Sequence, residues 1–401
     1  MVGRSGPYFP YEQSGRLDPR DILNTRFDVA VVGAGILGLA HALAAARAGK
    51  SVVVIDRDAH AVGASVRNFG FVTITGQRRG ATWNRARRSR DVWAEVAGPA
   101  GIAIEQRGLT MLGRRDEART VLEAFMDTEM AVDCQLLSQA QVEARWPTLA
   151  GAPITAALWS PHEVRVESRL AIPRLAAWLA EAWNVHFLRP AAVQTIALPQ
   201  IQTSRGVVLA ETCVVCPGDD LVSLYPDVIA ARGVTLCSLQ MLRLASPGTT
   251  LPAPLMSDLG LTRYRGYADL PEASALAARL AEEQPRHLEH GIHLIVVQSA
   301  DGSLVVGDSH HYGDTPGPFA AQEVEDLILD EFQAATGRSA PPVIERWKGV
   351  YASADEDMFM ATPEPGVRLV MVTSGTGAST AFAIAEETIA DLFGRSRDAA
   401  A

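Results

Sequence analysis

Residues 27–32 form a short β-branched apolar run, suited to a strand buried on both faces of a parallel sheet. The run enters a Gly-x-Gly-x-x-Gly turn at Gly33, Gly35 and Gly38, and residues 39–48 continue as alanine-rich sequence of high helix propensity. Gly49 and Lys50 close that helix, and residues 51–56 read as a second buried strand. Together these segments predict a compact βαβ unit with the usual right-handed crossover. The same register returns near the C-terminus, with a strand over 367–372, a tight turn over 373–377 and an Ala/Ile-rich helix over 378–392. A third strand-to-glycine turn covers residues 211–218.

Between about 230 and 345 the pattern changes to alternation, as in residues 235–244 and 292–297, with a hairpin signal at Asp301 and Gly302. Alternation also predicts a strand over 261–267, with Arg263 and Arg265 on one face and Tyr264 opposite. The expected plan is an α/β nucleotide-binding domain, discontinuous over 27–95, 150–230 and 340–401. A β-rich α+β domain for the substrate, made of 96–149 and 231–339, interrupts it. Residues 1–26 are polar, contain Gly and Pro and lack an apolar signal core; they read as a flexible leader.

Composition narrows the function classes. A chain of 401 residues, 48% hydrophobic and 20% charged, has the make-up of a globular protein of roughly two or three domains. Acidic residues outnumber basic ones 46 to 36, for a net charge of −10, which argues against nucleic acid as a partner. Cys134, Cys213, Cys216 and Cys237 are too few for a disulfide scaffold, so a reducing cytoplasm is expected. Residues 29–48 are apolar enough to resemble a membrane span, but glycines break them and they carry His41 and Arg47. Strand, turn and helix explain the stretch better than an integral membrane segment.

The glycine turn carries specific chemistry. Gly33 permits the sharp turn, Gly35 lets backbone approach a pyrophosphate, and Gly38 lets helix pack on strand. Ile36 and Leu37 open the helix, whose free N–H groups and partial positive charge suit phosphates. Asp56 ends the second strand at the position that takes ribose hydroxyls.

Four segments resemble the D-amino-acid-oxidase-like flavoproteins, which include glycine and sarcosine oxidases. They are the βαβ unit, residues 63–70, residues 215–218 and residues 374–377. The resemblance spans residues 27–394 and implies a Rossmann-like FAD domain of the glutathione-reductase type. It makes FAD the cofactor rather than NAD. It assigns cofactor contacts to Arg57, Ser65, Asn68, Gly70, Val193, Gly218, Gly375, Gly377, Ala378 and Ser379, besides the first turn. It also implies an amine or amino-acid-like substrate that gives up a hydride from the carbon bearing nitrogen to flavin N5, leaving an imine to hydrolyse. Residues 65–70 and 301–312 resemble more narrowly a bacterial clade encoded near phosphonate-degradation genes, which implies an aminophosphonate. Dioxygen and a quinone stay open as electron acceptors. Two rivals stand beside this reading: a D-amino-acid-type dehydrogenase serving the respiratory chain, and a flavoprotein assembly factor without turnover.

Such chemistry needs cations for an acidic group and a few hydrogen-bonding aromatics. His310, His311 and Tyr312 follow an apolar strand end and are candidates to bind an anion or tune the amine's protonation. The competing reading is a solvated loop. Tyr351 stands in a segment where relatives place an Arg or Tyr against a carboxylate; Arg67, Arg263 and Arg265 are the remaining cations. No cysteine follows Cys237, so the flavin-linking cysteine of covalent sarcosine oxidases is missing and FAD is expected to dissociate. Ser379 replaces the lysine of those relatives. No metal is expected, because the His pair lacks a third ligand at a recognised spacing and His162-Glu163 lacks the second His of a helical zinc motif. Cys213 and Cys216 read as small buried strand residues, and Arg78, Arg79, Arg85, Arg87, Arg88 and Arg90 as a solvated helix face.

Overall fold

A computed structural model describes residues 19–394. The strand Arg26–Val32 lies parallel between Val52–Ile55 and Gly206–Val215. His186–Leu188 and Val367–Ser374 extend the same parallel sheet outward on either side. Both faces are covered. Val29 and Val31 pack with Leu39, Leu43, Trp93, Leu175 and Phe382 from four helices, Ile36–Arg47, Ala81–Ala97, Ser168–Trp183 and Gly377–Leu392. Ala30, on the alternate position, and Phe27 near the strand's start belong to a second apolar layer with Ile55, Leu188 and Ile201.

The rest of the chain is mostly antiparallel. Thr235–Leu244 is flanked by Leu304–Gly307 and Val343–Ala361. The sheet continues through Ile295–Gln298 and Leu255–Ser257 to Ile104–Gly113 and Ala156–Val166. Its apolar core gathers Leu109, Met111, Leu242, Val296 and Val306 with Ile328 of the helix Gln322–Thr336. Val343–Ala361 joins the two regions: its first half pairs with Thr235–Leu244 and its second half with Val367–Ser374. The register breaks between Ser353 and Met358, where the strand passes over the end of the parallel sheet.

Several expectations change. Residues 1–18 of the supposed leader lie outside the described residues, but Pro19–Leu23 forms a short helix and buries Ile22 against the sheet. The strand expected over 261–267 is instead a 3-10 helix, Asp258–Thr262, followed by the short helix Arg265–Ala268. Tyr264 and Tyr267 fit strand alternation poorly, being three apart; Tyr267 is buried, and Gly266 packs so closely on Gly76 and Gln77 that a Cβ would lie 2.5 Å from the Gln77 carbonyl. The arginine run divides too. Arg85 and Arg88 tie the helix Ala81–Ala97 to Glu387 and Glu386 of the C-terminal helix. Arg78 precedes that helix and turns toward Asp357 at 3.6 Å. Among the described residues no helix is long and apolar enough to cross a membrane.

Candidate active site

A cavity of about 480 Å³ opens where the parallel sheet ends beneath the long shared strand. Its wall runs from Gly35–Gly38 past Ser65, Arg67 and Asn68 to Gly375–Ser379, so two helix N-termini face it. Each terminus presents backbone N–H groups without helical partners and a partial positive charge.

The first turn leaves no room for side chains at two of its glycines. Gly33 has φ +101°, and a Cβ there would lie 2.4 Å from the carbonyl oxygen of Cys216. A Cβ on Gly38 would lie 1.9 Å from the Gly33 carbonyl oxygen, which forbids any side chain where helix meets strand. Ile36 N–H donates to the Ser65 hydroxyl at 2.9 Å, bringing the second segment against the helix start. Asp56 accepts from Ala34 N–H at 2.5 Å and Asp58 N–H at 2.8 Å, so its carboxylate braces the turn. Each oxygen keeps a lone pair for a ribose hydroxyl. A cradle of glycine backbone at one helix terminus, braced by an acid at the neighbouring strand end, fits a dinucleotide such as FAD.

The other expected cofactor contacts separate into lining and support. Ile36, Leu37, Ser65, Asn68, Gly218, Gly375, Gly377, Ala378 and Ser379 line the cavity. Asn68 also brackets its own loop, donating to the Ala64 carbonyl and accepting from Gly70 N–H and Ser168, each at 2.7 Å. Ser379 accepts from Thr73 N–H at 2.9 Å. Gly33, Asp56, Arg57, Gly70 and Val193 are not in the lining. Arg57 pairs with Asp220 at 2.7 Å, and Val193 lies in a hairpin strand opposite Thr203.

At the opposite end the lining becomes side chains: Arg67, Arg263, Tyr264, His293, His310, Tyr312 and Tyr351. Arg263 donates to the Tyr312 hydroxyl at 3.1 Å. Burial holds the Tyr351 hydroxyl well above its ordinary pKa, so it serves as a neutral hydrogen-bonding group, with its ring 6.5 Å from that of His310. Arg265 reaches the lining but pairs with Asp269 at 3.1 Å on the exposed side of its helix.

The histidine pair splits. His310 is buried and in the lining, and its Nδ1 lies 2.8 Å from the Gly291 carbonyl. His311 is exposed and meets His290 at 3.0 Å outside the cavity wall. His310 precedes the strand His311–Gly313, and of the two neighbours only His310 is in the cavity wall, which corrects the joint role expected for the pair.

Sequence reasoning missed His293 and Asp308. They stand on adjacent strand ends, and their backbones exchange hydrogen bonds of 3.3 and 3.0 Å. His293 sat inside a segment read only for alternation; a histidine in an apolar strand was the available signal. Arg78 and Gln77 also line the cavity. His162-Glu163 is used otherwise: Glu163 is fully buried and accepts from Thr75 N–H at 2.7 Å. All four cysteines are free and buried, and burial pushes the Cys213 thiol up to about 12, as expected of inert core residues.

Comparison with known proteins agrees with this geometry. Residues 28–392 match the DAO family, described as FAD dependent oxidoreductase. No curated protein sequence matches significantly. Among solved structures, glycine oxidase from Bacillus cereus ATCC 14579 is similar, with TM-score 0.74 and 18% identity over 92% of this chain and 95% of that one. L-proline dehydrogenase from P. horikoshii gives 0.73 and 17%, over 92% and 93%. L-alpha-glycerophosphate oxidase from Mycoplasma pneumoniae, solved with FAD bound, gives 0.71 and 16%, over 92% and 96%.

Proposed function

Since the chain belongs to the DAO family of FAD-dependent oxidoreductases, we propose that it oxidises a small amine or amino-acid-like substrate carrying an anionic group, foremost an aminophosphonate. The carbon bearing nitrogen is oxidised to an imine, which water hydrolyses to a carbonyl compound. Bound FAD supplies the two-electron acceptor. Gly33 to Gly38, with Asp56, would hold its dinucleotide part, and Gly375 to Ser379 would close over the ring. The cofactor region is then 27–95, 150–230 and 340–401, and the substrate region 96–149 and 231–339, whose sheet also takes in Ala156–Val166 and the first half of Val343–Ala361.

The observation that carries this reading is Arg263, a guanidinium in the cavity wall beside Tyr312, Tyr351 and His310. A cation among hydrogen-bonding groups anchors an acidic end and leaves the amine end toward the Gly375 turn, whose backbone approaches Tyr351. A phosphonate, with three oxygens, could use more of these groups at once than a carboxylate. A flavoprotein serving only as a scaffold would have no use for a cation in that wall. The four free, buried cysteines favour a reducing cytoplasm.

The test is an anaerobic screen of the purified yellow protein against amino acids, N-methyl amines and aminophosphonates, following the flavin's visible band. Bleaching by an aminophosphonate at lower concentration than by its carboxylate analogue is the expected result. Recolouring in air marks an oxidase, and recolouring only with a quinone marks a dehydrogenase. Absence of bleaching by every compound would overturn the amine reading.

A further inference from the structure

We propose that His293, Asp308 and His310 bind a divalent transition-metal ion of the zinc class in the wall of the cavity. The three side chains are buried, at 3%, 3% and 6% exposure, and their ligand atoms all lie within 4.8 Å of one another. His293 Nδ1 is 3.3 Å from Asp308 Oδ1, and His310 Nε2 is 3.8 Å from Asp308 Oδ2. A tetrahedral ion with bonds of about 2.0–2.1 Å sets its ligands about 3.3 Å apart, so little movement separates this arrangement from coordination.

The contacts inside the cluster are not good hydrogen bonds. His293 Nδ1 and Asp308 Oδ1 are buried without a hydrogen-bond partner despite their proximity. Buried polar atoms rarely stay unsatisfied, and an atom placed between them would satisfy both. The surroundings prepare the nitrogens as ligands. With Nδ1–H of His310 donated to the Gly291 carbonyl at 2.8 Å, its Nε2 lone pair faces Asp308. The far nitrogen of His293 lies 3.5 Å from the Tyr264 hydroxyl. Outer hydrogen bonds of this kind orient metal-binding imidazoles.

Charge shapes the choice of ion. Of the three side chains only Asp308 carries a carboxylate, and both imidazoles approach it, at 3.3 and 3.8 Å. Arg263 adds an opposing positive charge. A site with two imidazoles and one carboxylate beside a cation disfavours magnesium and calcium, which want oxygen ligands, and suits zinc. Three protein ligands leave one position for water or an anionic oxygen.

The test uses FAD-loaded protein, freed of metal with a chelator and desalted. Titration calorimetry with zinc chloride, and metal analysis after a second desalting, should give about one tightly held zinc per chain. Magnesium chloride should give no binding. Asp308→Asn and His293→Ala should lose the ion while FAD content stays at the parent level. His311→Ala removes the exposed pair with His290, the competing place for zinc, and should leave the stoichiometry unchanged. Zinc lost in His311→Ala but kept in Asp308→Asn would overturn the proposal. Should the buried variants fail to fold, the unaltered protein still decides: no zinc retained after desalting overturns it.

Discussion

At one end of the cavity the wall is backbone, and at the other it is side chain. The proposed dinucleotide end comes from one continuous stretch, Gly33 to Gly38, with Asp56 bracing it and Ser65 touching the helix start. The proposed substrate end collects Arg263, His293, His310, Tyr312 and Tyr351 from four separated parts of the chain. The first end recognises charge and shape common to any dinucleotide, and its requirements are steric. The second must match one molecule, and its requirements are chemical. Damage to the first should therefore empty the protein of cofactor, whereas damage to the second should leave a yellow protein that turns over poorly.

The largest effect is expected from Gly38→Ala. The added Cβ would meet the Gly33 carbonyl oxygen at 1.9 Å, so helix and strand must separate. Overpacking of this kind costs about 3 kcal/mol. The protein should purify colourless and unfold at lower urea concentration. A yellow variant of parent stability would show that the turn is looser than its contacts imply.

Arg263→Met should do the reverse. Its side chain keeps bulk but gives up the charge beside Tyr312. Loss of a charge-assisted contact to an anionic substrate is worth up to about 3 kcal/mol, or a fall in kcat/KM on the order of 100-fold. FAD content and spectrum should stay those of the parent. Equal loss with a neutral amine lacking the acidic group would mean that Arg263 supports the fold rather than the anion.

A third effect sharpens the contrast through pH. His41 lies on the helix behind the glycine turn, fully buried, with Nδ1–H donating to the Leu37 carbonyl at 2.7 Å. Burial lowers its pKa from 6.5 to about 4, with the Leu37 bond opposing. The folded state then resists a proton that the unfolded chain accepts. Stability from this residue is intact above about pH 6.5, is lost as pH falls from there toward 4, and changes no further below. The full loss is about 3 kcal/mol. Urea unfolding of parent and His41→Leu at pH 7.5 and 4.5 isolates it: the variant should lose less stability on acidification. Parallel losses in both proteins would place the acid sensitivity elsewhere.

The same contrast explains what could be read from the chain. The βαβ unit, the C-terminal strand, turn and helix, and the strand over residues 235–244 are local patterns, and the structure contains each. Backbone recognition needs glycines at fixed spacing, which a one-dimensional pattern preserves. Side-chain recognition does not. Arg263 stands out by its charge, but it lies between two short helices where alternation predicts a strand, because alternation over a few residues does not separate the two. Asp308 and His293 meet only because two strand ends lie side by side. Arg78 turned inward where its arginine-rich neighbourhood pointed to solvent.

The smallest effect tests where the substrate end stops. His310 and His311 are neighbours in sequence, so charge and residue type alone give them one role. The structure separates them: His310 lines the cavity, while His311 is exposed and lies 3.0 Å from His290. Burial lowers the pKa of His311 first, and the facing His290 and the nearby Lys348 lower it further, so it is largely neutral at pH 7.5. Neither its charge nor its position lets it hold an anionic substrate. His311→Ala should change kcat/KM by no more than about twofold, the range expected of a surface substitution. His310→Ala, one residue away, should lower it far more with FAD retained. If His311→Ala instead matched or exceeded His310→Ala, the edge carrying His290 and His311 would have to fold over the cavity during turnover, and the boundary between a backbone end and a side-chain end would move outward to include it.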